Sequence, residues 1–273
     1  PEQEYFSDGI TEDIITDLSK VSALGVISRN SAFMYKGKHV DIPKVARELK
    51  VSHVLEGSVR KAGGRVRINA QLIDGSSNNH VWAERYDRDS NDIFALQDEI
   101  SEAIVKALKL RLLPAEKQAI VRRGTDNAEA HNLYLMARQS YITGQEMEAR
   151  SAEAIVRLCV RATEIDPRYA QAWALMAVGH YKLQVVNGGS SGDGMLAAER
   201  ALALDPALTE AHAIKAQLLL QDGNPDAAAA EVATALELDP ESYEANRSAG
   251  RLSYQPHRYG DAIRFYGKAV KLT

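Results

Sequence analysis

The stretches "RATEIDP" (Arg161–Pro167), "RALALDP" (Arg200–Pro206) and "TALELDP" (Thr234–Pro240) decide how the second half of this chain folds. "KAVKLT" (Lys268–Thr273) begins the same pattern again. Ala201, Ala235 and Ala269 are spaced by 34 residues, whereas Ala162 precedes Ala201 by 39. The longer interval contains "NGGSSG" (Asn187–Gly192), which reads as a loop insertion. Proline has no amide proton and cannot continue a helix, so each copy ends one helix and opens a turn. Small residues recur where two helices must approach closely: Ala216, Ala228 and Ala235 in one copy, Gly250, Ala262 and Ala269 in the next.

A 34-residue period of helix–turn–helix units is that of tetratricopeptide repeats. The reading assigns about four repeats to residues 128–273, an all-α superhelix. A single hairpin cannot bury its apolar face, so neighbours must stack. Stacking leaves a concave surface lined by the first helix of each pair. Counting along those helices, the outward residues are Tyr134, Arg138, Tyr141, Gln171, Tyr181, Gln217, Arg247, Arg251 and Tyr254. Tyrosine and arginine anchor protein interfaces, so these nine are candidate partner-binding residues for a protein or peptide. A solvated helical face without a ligand is the alternative. Trp173 takes the large aromatic position of its first helix.

Residues 1–113 read differently, as a mixed α/β (α+β) domain. "YFSDGITEDIITDLSK" (Tyr5–Lys20) sets Asp8, Glu12, Asp13 and Asp17 close together, and Phe6-Ser7-Asp8 has the look of a metal-binding Phe-x-Asp. Periodicity favours a helix: Ile10, Ile14, Ile15, Leu18 and Val21 make one apolar face, and Ser7 or Asp8 is expected to cap it. A short strand is expected at Leu24–Ser28, then a helix capped by Asp41 with Pro43 in its first turn. Three strands follow at Val51–Val59, Arg65–Ile73 and His80–Tyr86, the first two joined by the Ala62-Gly63-Gly64 turn. Val66, Ile68, Ala70 and Leu72 alternate with polar residues, which predicts one packed and one wet face. Glu56, Arg60, Arg65, Arg67 and Glu84 are expected to share the wet face as ion pairs. A helix is predicted over Asp92–Leu112, and 114–127 is expected as a linker with a helical piece at Ala115–Val121.

The chain has 273 residues, 45% hydrophobic and 26% charged, with a formal net charge of −4 and a pI near 6.0. That balance argues against a nucleic-acid sleeve or a polybasic membrane patch. No apolar run is long enough to span a bilayer, and no signal peptide opens the sequence. The first residues, Pro-Glu-Gln-Glu, lack an initiator Met, so the expectation is a piece of a longer protein. Cys159 is the only cysteine and reads as a buried structural thiol. The seven histidines are scattered without a zinc-ligand spacing, and no metal or cofactor is expected. Gly63-Gly64 lacks the lysine–serine of a phosphate loop, and Ser28, Ser31 and Ser58 have no nucleophile-elbow context. The stretch "VISRNSAFMYKGK" leaves a strand's carboxyl end, where open α/β sheets place ligands. Arg29, Asn30, Ser31, Tyr35 and Lys36 are therefore a candidate ligand loop, with an ordinary connecting loop as the alternative.

"YFSDGITEDIITDLSK", "VISRNSAFMYKGK", "VARELKVSHVLEGSVRKAGGRVRINAQLID" and "HVWAERYDRDSNDIFALQDEIS" together resemble the TolB amino-terminal-like domain of bacterial signalling proteins, over about residues 1–112. In that family an extended first strand precedes the point where this chain begins, so the resemblance implies a sheet lacking that strand. Domain and repeats together resemble the carboxy-terminal region of bacterial class III adenylate/guanylate cyclases, and less often of winged-helix transcriptional regulators. The resemblance implies a non-catalytic sensor or scaffold region, with any catalytic or DNA-binding domain upstream as a partner in the same polypeptide. It allows a homodimer and either a cytoplasmic or a periplasmic location. A nucleotide-binding enzyme domain is the third reading.

Overall fold

The computed structural model describes residues 4–121, 124–144, 149–188, 190–254 and 257–272. Contacts divide the chain into two compact units, Pro1–Ala128 and Glu129–Thr273.

In the first unit, α1 (Glu4–Ser19), α2 (Arg29–Phe33) and α3 (Ile42–Leu49) precede an antiparallel sheet. Its strands β1 (His53–Ala62), β2 (Arg65–Asp74) and β3 (His80–Asp89) lie in sequence order. A 3-10 turn, Ser90–Asp92, leads into α4 (Ile93–Ala107), and α5 (Pro114–Val121) follows. Gly63 and Gly64 have φ of 57° and 76°, the left-handed pair that a two-residue hairpin turn requires. Val66, Ile68, Ala70 and Leu72 of β2 are buried, whereas Arg65, Arg67 and Asn69 are exposed. Phe6, Ile10, Ile14 and Leu18 of α1 and Ile93, Leu96, Ile100 and Ile104 of α4 fill the space over the packed face. Each such side chain contributes about 1.5–3 kcal/mol by leaving water. That outweighs an exposed ion pair at about 0–1 kcal/mol, so the apolar stripes and not the surface charges set this packing.

Several local expectations change. Asp8 does not cap α1, because the helix already runs from Glu4 and puts Asp8 in its second turn. The residue is 7% exposed and is held by Lys36 Nζ at 2.6 Å. Leu24–Ser28 forms no strand: no neighbouring strand pairs with it, and the sheet is β1–β2–β3 among the described residues. Asp41 stands at the α3 cap position, but its backbone carbonyl, not its side chain, accepts from Lys44 and Val45. The fourth helix stops at Ala107, not Leu112, since Lys109 turns left-handed (φ 57°) and Leu110 N–H folds back to Val105 O. Glu84 leaves the wet face: pairing opposite Ala70 sets it on the packed side, where Tyr86 Oη donates to it at 2.6 Å. Asp87 takes its place, accepting from Arg65 and Arg67, both at 2.6 Å. The helical piece expected at Ala115–Val121 is present as α5, and its Glu116 accepts from Ser22 N, Ser22 Oγ and Leu113 N and so ties this helix to the end of α1.

Among its described residues, the second unit consists of helices and short connections. It comprises α6 (Ala128–Thr143), α7 (Ala149–Ile165), α8 (Ala170–Asn187), α9 (Gly192–Leu204), α10 (Thr209–Gln221), α11 (Pro225–Leu238), α12 (Tyr243–Tyr254) and α13 (Tyr259–Leu272). They pair as four tetratricopeptide-like hairpins; α10 and α12 start 34 residues apart, as do α11 and α13. The connections between hairpins are chemically identical in three copies. Asp166, Asp205 and Asp239 accept, through Oδ1, the N–H two residues on, at 3.0, 3.1 and 2.9 Å. The carbonyls of Pro167, Pro206 and Pro240 accept from Trp173 Nε1, His212 Nε2 and Asn246 Nδ2, at 3.0, 3.0 and 2.9 Å. Three unlike side chains thus supply one N–H at one place, because a turn carbonyl facing the helix needs a donor. Ala162, Ala201, Ala235 and Ala269 are all buried where paired helices touch. Cys159 is fully buried, and burial pushes its thiol far above the ordinary range, away from nucleophilic reactivity.

Candidate functional site

The first helices of the hairpins, α6, α8, α10 and α12, stand side by side. Neighbouring helix axes lie about 8–10 Å apart, so a flat row would hold α6 and α12 roughly 25–30 Å apart. Yet Tyr141 Oη of α6 donates to Glu244 Oε1 of α12 at 2.6 Å. The row therefore curls until its first and fourth members meet, and their side chains form a polar, aromatic cluster on the inner face. Lys182 Nζ lies 4.8 Å from the Tyr141 ring centre, and Arg251 Cζ lies 5.4 Å from that of Tyr181. Arg138 Nη1 donates to Tyr134 Oη at 3.0 Å. Burial pushes the Glu244 carboxyl up, against the Tyr141 hydroxyl and the Arg247 and Arg138 charges that favour its ionised form. Burial likewise raises Tyr141 well above its usual range, and the Glu244 charge adds to the shift.

Of the nine residues expected on this surface, Tyr134, Arg138, Tyr141, Gln171, Arg247 and Arg251 are partly buried, and Tyr254 is exposed. Tyr181 and Gln217 do not project into solvent: both are buried, and Gln217 Nε2 donates to Ser248 Oγ at 2.9 Å between α10 and α12. Counting along a helix gives the side but not the depth, and the curl brings these two into the packed layer. Two acceptors near the inner face, Gln171 Oε1 and Gln217 Oε1, are buried without a hydrogen-bond donor. Sequence reasoning missed Lys182 and Glu244. Their signal was present as charged residues near Tyr181 and Tyr243, but only the curl gives them a common neighbour.

The candidate loop of the first unit is engaged internally. Lys36 Nζ bonds Asp8 and Glu4, both at 2.6 Å, and Tyr35 Oη donates to Glu48 at 2.8 Å. Arg29 lies 3.6 Å from Glu12 and sits over the Phe33 ring at 4.2 Å. Ser28 Oγ donates to Ser31 Oγ at 3.2 Å; the Asn30 side chain is outside the described residues. These contacts fasten the 29–36 segment to α1 and α3. Among the described residues, no three His, Cys, Asp or Glu side chains cluster as a metal ion would require. No described helix is long and apolar enough to cross a membrane.

Fold and cluster define a class: a small α+β unit followed by helical hairpins whose inner face carries tyrosine, arginine and lysine side chains. Residues 2–103 match the family model described as HilA/YgeH-like transcriptional regulator, second domain. A protein of Rhizobium meliloti (strain 1021) named "Putative adenylate cyclase 3" is 53% identical over 178 residues, 65% of this chain. The match spans only 30% of that relative's length. Among solved structures, a thermophilic tetratricopeptide protein of Thermus thermophilus is 15% identical and covers 67% of this chain and 88% of its own, with a TM-score of 0.44. MamA from Desulfovibrio magneticus RS-1 is 15% identical and covers 67% and 95%, with a TM-score of 0.38. At these TM-scores the likeness is loose, and the hairpin architecture rests on this chain's own helix spacing and turn bonds.

Proposed function

We propose that this chain is a protein-interaction region of a signalling polypeptide, most directly the carboxy-terminal sensor or scaffold part of a class III adenylate cyclase. In this reading the first unit acts as a TolB-like module and the inner face of the hairpins takes a partner segment, either from another protein or from the catalytic domain of the same polypeptide. The observation that carries the interaction reading is the gathering of Tyr134, Arg138, Tyr141, Lys182, Arg247 and Arg251 on one curled face. Cationic and aromatic groups of this kind anchor interfaces. The cyclase context is supported by the 53% identical relative. Binding of the chain to the separately expressed remainder of its parent polypeptide tests the proposal. Arg247→Ala/Arg251→Ala is expected to weaken binding about tenfold or more while circular dichroism shows the helical fold retained; equal binding by the variant removes this face from recognition.

A second reading, the effector-sensing part of a transcriptional regulator, is favoured by the family match over residues 2–103. The two differ in the domain upstream, a cyclase fold against a winged helix, which the parent sequence reveals directly. A nucleotide-binding role for the first unit predicts stabilisation by a nucleotide with a divalent metal, abolished by Arg29→Ala. The contacts of Arg29 with Glu12 and Phe33 favour a structural role for it instead.

A further inference from the structure

The second hairpin departs from its neighbours at one end. Its first helix, α8, has 18 residues against 13 in α10 and 12 in α12. The extra residues between Ala162 and Ala201 therefore lengthen this helix, and the connection 188–191 stays short. The added length sets His180, Gln184 and Asn187 along one stripe, at i, i+4 and i+7. The first turn of α9 packs close to that stripe. Gly194 permits the approach, since a Cβ there would lie 3.0 Å from Leu218 Cδ2 and 3.3 Å from His180 Cβ. Its neighbour Asp193 thus comes near enough to His180 for its charge to act on the ring. Ser190 Oγ accepts from Gly192 N at 3.1 Å, and Ser191 Oγ bonds the Asp222 carboxylate, so the residues leading into α9 are held in place.

His180, Leu183, Gln184, Asn187, Ser190 and Asp193 line a cleft of about 230 Å³. Drug-sized ligands fill about 300–1,000 Å³, so this cleft suits a single side-chain end group. Its lining is rich in acceptors: one carboxylate, two amide carbonyls and a hydroxyl. Burial lowers the pKa of His180 against the opposing Asp193 charge, so at pH 7 the ring is neutral and one nitrogen accepts as well. Among the described residues, no lysine or arginine lines the cleft, and neither His180 nor Asp193 hydrogen-bonds another side chain. The carboxyl end of α8 favours a cation there. The amino end of α9 favours an anion, but Asp193 stands in its first turn with a full charge that repels one. We propose that this cleft takes the guanidinium of an arginine side chain from a partner polypeptide. A guanidinium is all donor, with five N–H groups in a plane, and it is more weakly hydrated than an ammonium. Asn187, Ser190 and Asp193 are exposed, so the group enters by its tip. None of these residues belongs to the Tyr141–Glu244 cluster, so the proposal stands apart from the inner face.

The test titrates the whole chain with an acetylated, amidated Gly-Arg-Gly tripeptide and follows the His180 ring proton signal by NMR, identified by its loss in His180→Gln. The signal is expected to shift saturably at millimolar peptide. Asp193→Asn is expected to weaken binding about fivefold or more. Asp226→Asn changes the matching first-turn acid of α11, which lines no part of this cleft, and is expected to stay within about twofold of wild type. The Gly-Lys-Gly counterpart is expected to bind about threefold or more weakly. No saturable shift, an equal loss in both variants, or equal binding of the lysine peptide overturns the proposal. So does a saturable shift with inorganic phosphate or zinc alone. Free L-arginine binding more tightly than the tripeptide overturns the polypeptide source in favour of a small molecule.

Discussion

Tyr141 Oη, in the first helix of the first hairpin, donates to Glu244 Oε1, in the first helix of the fourth, at 2.6 Å. One hydrogen bond thereby joins the first and fourth members of the helical row, which the curl of the row brings within reach.

The sign of the pH effect at Glu244 follows from its environment. Burial raises the carboxyl above its usual value near 4.5, so the native state favours the protonated form. Its contribution to stability is full below the unfolded value and is lost as pH rises through the folded one. Glu244→Gln keeps an acceptor for Tyr141 without a charge. It is expected to raise the Tm by about 2–4 °C at pH 7–8, with the gain vanishing below about pH 4.5, as followed by circular dichroism across pH.

Glu231 behaves oppositely. Burial alone would push it up, but Lys215 at 2.7 Å and His212 at 2.6 Å prevail and hold it below the ordinary carboxylate range. Its contribution is present above the unfolded value and is lost as pH falls through the lowered one. Glu231→Gln is expected to destabilise the chain by about 1–2 kcal/mol at pH 7, with the difference from wild type shrinking below about pH 4. Urea titrations at both pH values measure it.

Asp8 relies on Lys36. Lys36→Met strands a buried carboxylate in the second turn of α1 and is expected to cost about 1–3 kcal/mol. Adding Asp8→Asn is expected to return about half or more of that loss, a coupling that a double-mutant cycle in urea reads directly.

The turn clamp predicts a loss at a residue no interface uses. Asn246 is buried and donates to the Pro240 carbonyl at 2.9 Å and the Ser242 carbonyl at 2.8 Å. Asn246→Ala leaves both acceptors without that donor and is expected to cost about 1–3 kcal/mol. Proteolysis at the Asp239–Ser242 turn is expected to quicken in step.

Much of the architecture was legible because local patterns carry it. The 34-residue period, the Asp-Pro turns and the alternation of β2 are set by backbone chemistry within a few residues. So are Gly63 and Gly64, whose positive φ a two-residue turn demands. The candidate surface was only partly legible. Tyr134, Arg138 and Arg251 were named from helical counting, but Tyr181 and Gln217 lie too deep to project, and Lys182 and Glu244 drew no notice.

By itself, then, the sequence determined the repeat helices, the three paired strands, where hairpins turn and which faces are apolar, since those follow from periods and from residues that restrict the backbone, but not the strand it suggested at Leu24–Ser28, which has no neighbour to pair with. Only the tertiary structure decided that Asp8 answers to Lys36 rather than to a helix end, and that Glu84 and Asp87 exchange faces. Only it decided that Tyr141 reaches Glu244. The reason is the same in each case: a charge or hydroxyl is placed by whichever distant backbone approaches it, and that approach depends on twist, register and curl summed over many residues.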